Sequence, residues 1–182
     1  MQVRYNAPVV ITFSILCVAV LLLSLLFGGS FLEAFSAPGR GAFSARDPFD
    51  WLAILLHPLG HASWEHLLGN LSIILLVGPM LEEKHGSRAM LLMIVITALV
   101  TGLLNVFFFS SALMGSSGVA FMMILLSSFV NRGAGDIPLS FILVALLFLG
   151  REIAGDGAVG VSHFAHLVGG LMGALFGFLR HR

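Results

Sequence analysis

Met114-Gly115-Ser116-Ser117-Gly118-Val119 is a glycine-flanked serine pair that opens an apolar run reaching Val130. The pair falls at a predicted helix start, where the first backbone N–H groups have no acceptor within the helix and the helix dipole adds positive potential. Such a place suits an oxyanion. Gly115 and Gly118 permit a tight turn and close approach by another backbone, so an extended peptide could reach a serine hydroxyl. By itself the pattern is more often that of a flexible connector, and its meaning depends on the solvent around it.

Composition identifies that solvent. Of the 182 residues, 58% are hydrophobic and only 10% are charged, and the mean hydropathy is +1.04, far outside the range of soluble globular chains. The sequence therefore reads as an all-α, polytopic membrane protein, with room for about six transmembrane helices in one bundle. Residues 1–182 form a single membrane domain on this reading. A formal net charge of zero provides no basic stripe to neutralise phosphates, which argues against nucleic acid as a partner. The single cysteine, Cys17, lies inside the first apolar run and reads as a small packing residue.

The predicted spans are residues 8–28, 63–83, 87–109, 116–131, 137–151 and 162–180, with a long outward loop over 29–62. The run from Pro8 to Phe27 is too long for a signal-peptide core and reads as a retained first helix ending near Gly28-Gly29. Within the loop, Phe49 to Leu56 is amphipathic and predicts a short interfacial helix, with Trp51 at headgroup level. Gly86 is the expected stop of the second span and Ser87 the expected N-cap of the third. Asn131-Arg132-Gly133 should end the fourth, and Asp136 and Pro138 should open the fifth.

Six spans place Arg4, Lys84, Arg88, Arg132, Arg180 and Arg182 on one side and Arg40, Arg46 and Arg151 on the other. This asymmetry predicts cytoplasmic termini. The serine pair then faces outward. From Gly115 to Asn131 a helix would rise roughly 24 Å, less than the roughly 30 Å of hydrocarbon core. Ser117 should thus lie below the outer surface, where polar groups are tolerated only inside protein or beside a wet cavity.

Two further spans carry polar residues on one face. His66 and Asn70, at i and i+4, read either as a helix-packing hydrogen-bond pair or as donors aimed at developing negative charge. In Ser162-His163-Phe164-Ala165-His166, the second histidine shares a face with Gly169 and Gly173. That small-residue stripe predicts close helix packing and could bring the His166 imidazole to the Ser117 hydroxyl. His163 competes for the role, but the glycine stripe continues the face of His166.

Through these residues the chain resembles the rhomboid family of intramembrane serine proteases, over nearly all of its length from Trp51 onward. The resemblance implies a six-helix rhomboid bundle. It also implies Ser117 as nucleophile within Gly115-Ser116-Ser117-Gly118, His166 as general base within Ala165-His166, and His66 with Asn70 as the oxyanion-stabilising pair. Glu82, Lys84 and Gly86 resemble the family's turn after the second span. The fifth span would be a lateral gate. Two positions depart from the family pattern: Trp51-Leu52 stands where many members have Trp-Arg, and Phe121 where many bacterial members have tyrosine.

No acidic residue occurs within the fourth or sixth span, so a Ser-His dyad is the simpler expectation, although Asp156 lies in the loop before the sixth helix. No metal or cofactor is expected. The implied substrates are transmembrane segments cut near their outward ends, and the implied location is a bacterial inner membrane. Two alternatives come from other classes: a non-proteolytic rhomboid-like protein that binds transmembrane helices, and a metal-ion carrier using His57, His61, His66, His163 and His166.

Overall fold

The computed structural model describes residues 5–130, 136–154 and 161–179. The expected stop at Asn131, the charges of Arg4, Arg132, Arg180 and Arg182, and Asp156 lie outside the described residues. Eight α-helices occur: α1 (Pro8–Phe27), α2 (Gly29–Glu33), α3 (Pro48–Leu56), α4 (Trp64–His85), α5 (Ser87–Phe108), α6 (Ser117–Ser127), α7 (Leu139–Ala154) and α8 (Val161–Leu179), with a 3-10 turn at His57–Leu59. Three of them, α1, α4 and α5, are long and apolar enough to cross a membrane. Among the described residues the fold is all-helical apart from one antiparallel bridge, Ala37 with Leu113.

The short helix α6 is the centre of the bundle. It is apolar on every side, and Val119, Ala120, Met122, Met123, Leu125 and Leu126 are all buried, as expected of a helix surrounded by other helices. Its regular part covers 11 residues, about 16 Å at 1.5 Å per residue, which is shorter than the sequence suggested. The difference arises at the C-terminal end. Ser128, Phe129 and Val130 donate their N–H groups to residues three back, so the last turn tightens instead of continuing to residue 131. The Lys84 ammonium closes that end by donating to the Phe129 carbonyl at 3.1 Å and to the Val130 carbonyl.

Helix α8 lies against α6 along the glycine stripe. A Cβ placed on Gly169 would collide with the Gly118 carbonyl, and one on Gly173 with the Met122 carbonyl. Only hydrogen at these positions lets the two backbones meet. Farther along, Phe129 packs against Phe178 and Phe141, with ring centroids 4.9 Å apart in each pair, so α7 is tied to the same end of α6 and α8.

Glu82 explains how α1 is seated. The N-cap of α1 is Ala7, whose side chain offers no acceptor, yet the first N–H groups of a helix need one. The buried Glu82 carboxylate supplies it from α4, accepting from Val9 N at 3.0 Å and Val10 N at 2.9 Å, and from Ser87 Oγ at 2.7 Å. Ser87 is therefore not the N-cap of α5, as its sequence position suggested. Gly86, with φ +84°, takes that place, and the Ser87 hydroxyl is drawn to the carboxylate, a charged and stronger acceptor.

The long loop between α1 and α4 is stitched down rather than loose. Ala37 and Leu113 exchange hydrogen bonds at 2.8 and 2.9 Å, and Arg40 N donates to Phe109 O at 2.6 Å. Asn105 Nδ2 bridges to Pro38 O and Ser111 O at 3.3 and 3.1 Å. Asp47 caps α3 through Phe49 N at 2.9 Å, and the Trp51 indole donates to Ala45 O at 3.2 Å. Trp51 is half-exposed, with 45% of its surface uncovered, and the loop finds its anchors without an arginine at position 52.

Two outcomes are expected from this packing. Gly169→Ala and Gly173→Ala should each destabilise the protein by about 1–3 kcal/mol, because a backbone carbonyl cannot move aside as a side chain would. Gly69→Ala, where an added Cβ meets nothing within 4 Å, should be neutral or stabilising in the same detergent melting series. Glu82→Ala should lower the melting temperature more than Glu82→Gln, since alanine strands two buried N–H groups at about 1–3 kcal/mol each. Equal losses in the two variants would contradict the capping role.

Candidate active site

Ser117 is the first residue of α6 and is almost fully buried, with 7% of its surface exposed. The turn that delivers it is set by Gly115, whose φ of +114° is one that side-chain-bearing residues avoid. Space demands glycine there as well: a Cβ would sit 2.6 Å from His66 Cε1 and 2.8 Å from His66 Nε2. The turn is pinned from below, because Gly115 N donates to His57 O at 3.0 Å. Ser116 is the N-cap residue but makes no capping bond with its side chain. Its hydroxyl is turned instead to His61 Nε2, 3.1 Å away.

His166 follows Ala165, and the Ala165 carbonyl would lie 3.2 Å from a Cβ on Gly118. Helices α6 and α8 thus touch at the residues next to Ser117 and His166. The imidazole of His166 lies against the Phe121 ring, centroids 4.3 Å apart and planes at 36°. Phe121 therefore supplies the ring surface expected of a tyrosine at that position. His163, the competing histidine, has its ring centroid 6.5 Å from that of His166.

His66 and Asn70 lie on α4 beside the serine turn. The α4 start is fixed by Ser63, whose Oγ accepts from His66 N at 3.2 Å. The ring of His66 meets that of His61 edge-on at 5.0 Å. Asn70 Nδ2 lies 3.2 Å from His61 Nε2, so in this structure the amide nitrogen expected to face an oxyanion is already in a hydrogen bond. Gly115, Ser116, His61, His66 and Asn70 form one contiguous polar cluster.

In the sequence, His57 and His61 stood out only as candidate ligands of a metal-ion carrier. Both are buried, and both touch the serine turn: His57 through its carbonyl to Gly115, His61 through its ring to Ser116. Nothing in their spacing pointed to Ser116, which lies 55 positions after His61. The His57 Nδ1 lies 2.9 Å from Ile54 O and the His61 Nδ1 3.2 Å from Leu59 O. Burial pushes both imidazoles down to about 4, against the raising effect of those backbone hydrogen bonds, and the neighbouring His66 lowers His61 further. Both rings are accordingly neutral at physiological pH.

On α5, Thr97, Thr101 and Asn105 are also buried at successive helical turns, and Thr101 lies beside Gly118. An apolar cavity of about 280 Å³ lies between α6, α7 and α8, lined by Leu125, Phe141, Ala145 and Leu167 among others. It touches neither Ser117 nor His166. Among the described residues, no three His, Cys, Asp or Glu side chains are grouped so that they could hold a metal ion.

Comparison with known proteins identifies the family. Residues 48–182 match the Rhomboid domain family. Over 142 residues the chain is 28% identical to Rhomboid protease GlpG of Haemophilus influenzae, an alignment covering 76% of this chain and 73% of that protein. With its apolar helices and its match over most of its length, the chain is an integral membrane protein that belongs to the rhomboid family.

Proposed function

We propose that this chain is an intramembrane serine endopeptidase that cuts transmembrane segments near their outward ends, with Ser117 as nucleophile and His166 as general base. The observation that carries the reading is the contact of α6 with α8 at Gly118 and Ala165, each the immediate neighbour of one dyad member, with the polar cluster of His66 and Asn70 on the same turn. Ser117 Oγ attacks the peptide carbonyl carbon as His166 takes the hydroxyl proton. The resulting oxyanion is stabilised by His66, Asn70 and the Ser117 N–H. Collapse breaks the C–N bond, and His166 passes its proton to the leaving amine. Water, deprotonated by the same base, then releases the acyl group from the serine.

On this reading six helices, α1 and α4 to α8, cross or enter the bilayer, with termini in the cytoplasm of a bacterial cell. The shortest, α6, is tolerated because it is enclosed by its neighbours, so its ends need not reach lipid headgroups. Substrate must present unwound backbone, since a helix hides its carbonyls in its own hydrogen bonds. The dyad involves no carboxylate and no metal.

Cleavage of a generic transmembrane substrate by the detergent-solubilised protein tests the proposal. Ser117→Ala and His166→Ala should each reduce cleavage by about 10⁴-fold or more, EDTA should change nothing, and a fluorophosphonate probe should label wild type but not Ser117→Ala. A wild-type protein that neither cuts nor reacts with the probe would leave helix binding without proteolysis as the reading.

Acid should weaken the site through its supports. With folded pKa values near 4 for His57 and His61 and about 6.5 in the unfolded chain, the unfolded state binds more protons below pH 6.5. Stability should therefore fall as pH drops from about 6.5 towards 4, by up to about 3 kcal/mol per histidine, and lose nothing more to these two groups below that. Detergent melting temperatures that stay level between about pH 7.5 and 4.5 would contradict this linkage.

A further inference from the structure

His61 stands outside the predicted dyad and outside the oxyanion pair, in the segment between the 3-10 turn and α4, yet its buried ring joins Ser116 of the serine turn to Asn70 of α4. Nδ1 lies 3.2 Å from Leu59 O, while Nε2 lies 3.1 Å from Ser116 Oγ, 3.2 Å from Asn70 Nδ2 and 3.4 Å from Ser116 N. These partners assign the tautomer. A carbonyl can only accept, so the hydrogen is on Nδ1; a backbone N–H can only donate, so Nε2 presents its lone pair. The same logic orients Asn70, because its amide oxygen in that place would face the lone pair.

The side-chain amide of Asn70 has two N–H bonds. One is held by His61, and the other is thereby fixed in direction. Ser116 is held at both its backbone nitrogen and its hydroxyl, and its peptide carbonyl is bonded to the nitrogen of Ser117. We propose that His61 is a positioning residue for the reaction: its Nε2 aligns the Asn70 amide and the Ser116–Ser117 peptide, so that the second Asn70 N–H and the Ser117 N–H converge on the developing oxyanion. The inference rests on the protease reading above and deepens it. Such alignment acts on the transition state, where the charge develops, rather than on substrate binding. A ring that merely filled space beneath the loop would need no bare nitrogen facing three donors.

The neutral state required for this acceptor role agrees with the depressed pKa of the buried ring. The outward loop matters for the same reason. His57 and His61 flank Pro58, Leu59 and Gly60, and the His57 carbonyl holds Gly115 while the His61 ring holds Ser116. Successive residues of the serine turn are thus fixed by one short segment.

The test compares His61→Leu, which fills the space without an acceptor, with His61→Gln, whose amide oxygen reaches about as far as Nε2, and with His61→Asn, whose oxygen does not. His61→Leu and His61→Asn should lower kcat about 10- to 100-fold with KM within about twofold, and His61→Gln should recover to within about fivefold of wild type. In an Asn70→Ala background the His61→Leu change should cost much less than in wild type, because the two act as one unit. If His61→Leu does not fold, the contrast between Gln and Asn carries the same decision. Folded His61→Leu or His61→Asn with wild-type kcat, or full additivity with Asn70→Ala, would overturn the positioning role while wild-type cleavage keeps the protease reading intact. Wild type that neither cleaves nor reacts with a fluorophosphonate would remove both.

Discussion

The approach of α6 to α8 is the constraint on which the rest of the molecule depends. Two backbones meet where Gly169 faces the Gly118 carbonyl and Gly173 faces the Met122 carbonyl. In a bilayer there is little hydrophobic drive to bring helices together, because lipid tails are as apolar as leucine. Close van der Waals contact between small residues has to supply the association instead. It does so only in one register, since a shift of one residue would turn larger side chains towards α6. The register that packs the glycines is also the register that carries His166 to the level of the serine turn.

A second constraint follows from burying polar backbone where no water is at hand. Helix ends need partners, and here side chains from other helices supply them. Glu82 closes the first turn of α1 and Lys84 the last turn of α6, so the C-terminal end of α4 fastens two neighbours with opposite charges. The pairing of sign with helix end follows the dipole: the carboxylate meets exposed N–H groups and the ammonium meets exposed carbonyls. With both ends fastened at that level, the opposite end of the bundle is free to carry the serine turn, the histidines and the stitched loop.

Much of this was legible from the residues, for particular physical reasons. Helical spacing placed His66 with Asn70, and His166 with Gly169 and Gly173, because the period of an α-helix is fixed. The glycine stripe announced close packing, and Phe49 to Leu56 announced a short helix. Ser87 misled because a serine before an apolar run is a good cap in isolation, and nothing local reveals a carboxylate arriving from the preceding helix. The end of α6 was overestimated because an apolar run does not show where α-type bonds give way to a tighter turn. The place of His61 in the site was not legible because its partner, Ser116, is far away in sequence, and periodicity speaks only of neighbours within one element.

The polar cluster around the serine turn shows how a site can be both buried and ready. Isolated donors in a low-dielectric interior are costly, and a buried donor with no partner would tend to reorient towards any acceptor within reach. Asn70 avoids this by using one N–H on His61, which meets part of its desolvation cost without consuming the whole group. Ser116 avoids it by turning its hydroxyl to the same nitrogen, leaving the first turn of α6 uncapped by that side chain. A cap there would occupy the N–H groups that make a helix start attractive to an anion. The absence of a side-chain cap on α6 is thus the counterpart of the ordered histidine beneath it: the hydroxyl best placed to close the helix is held elsewhere.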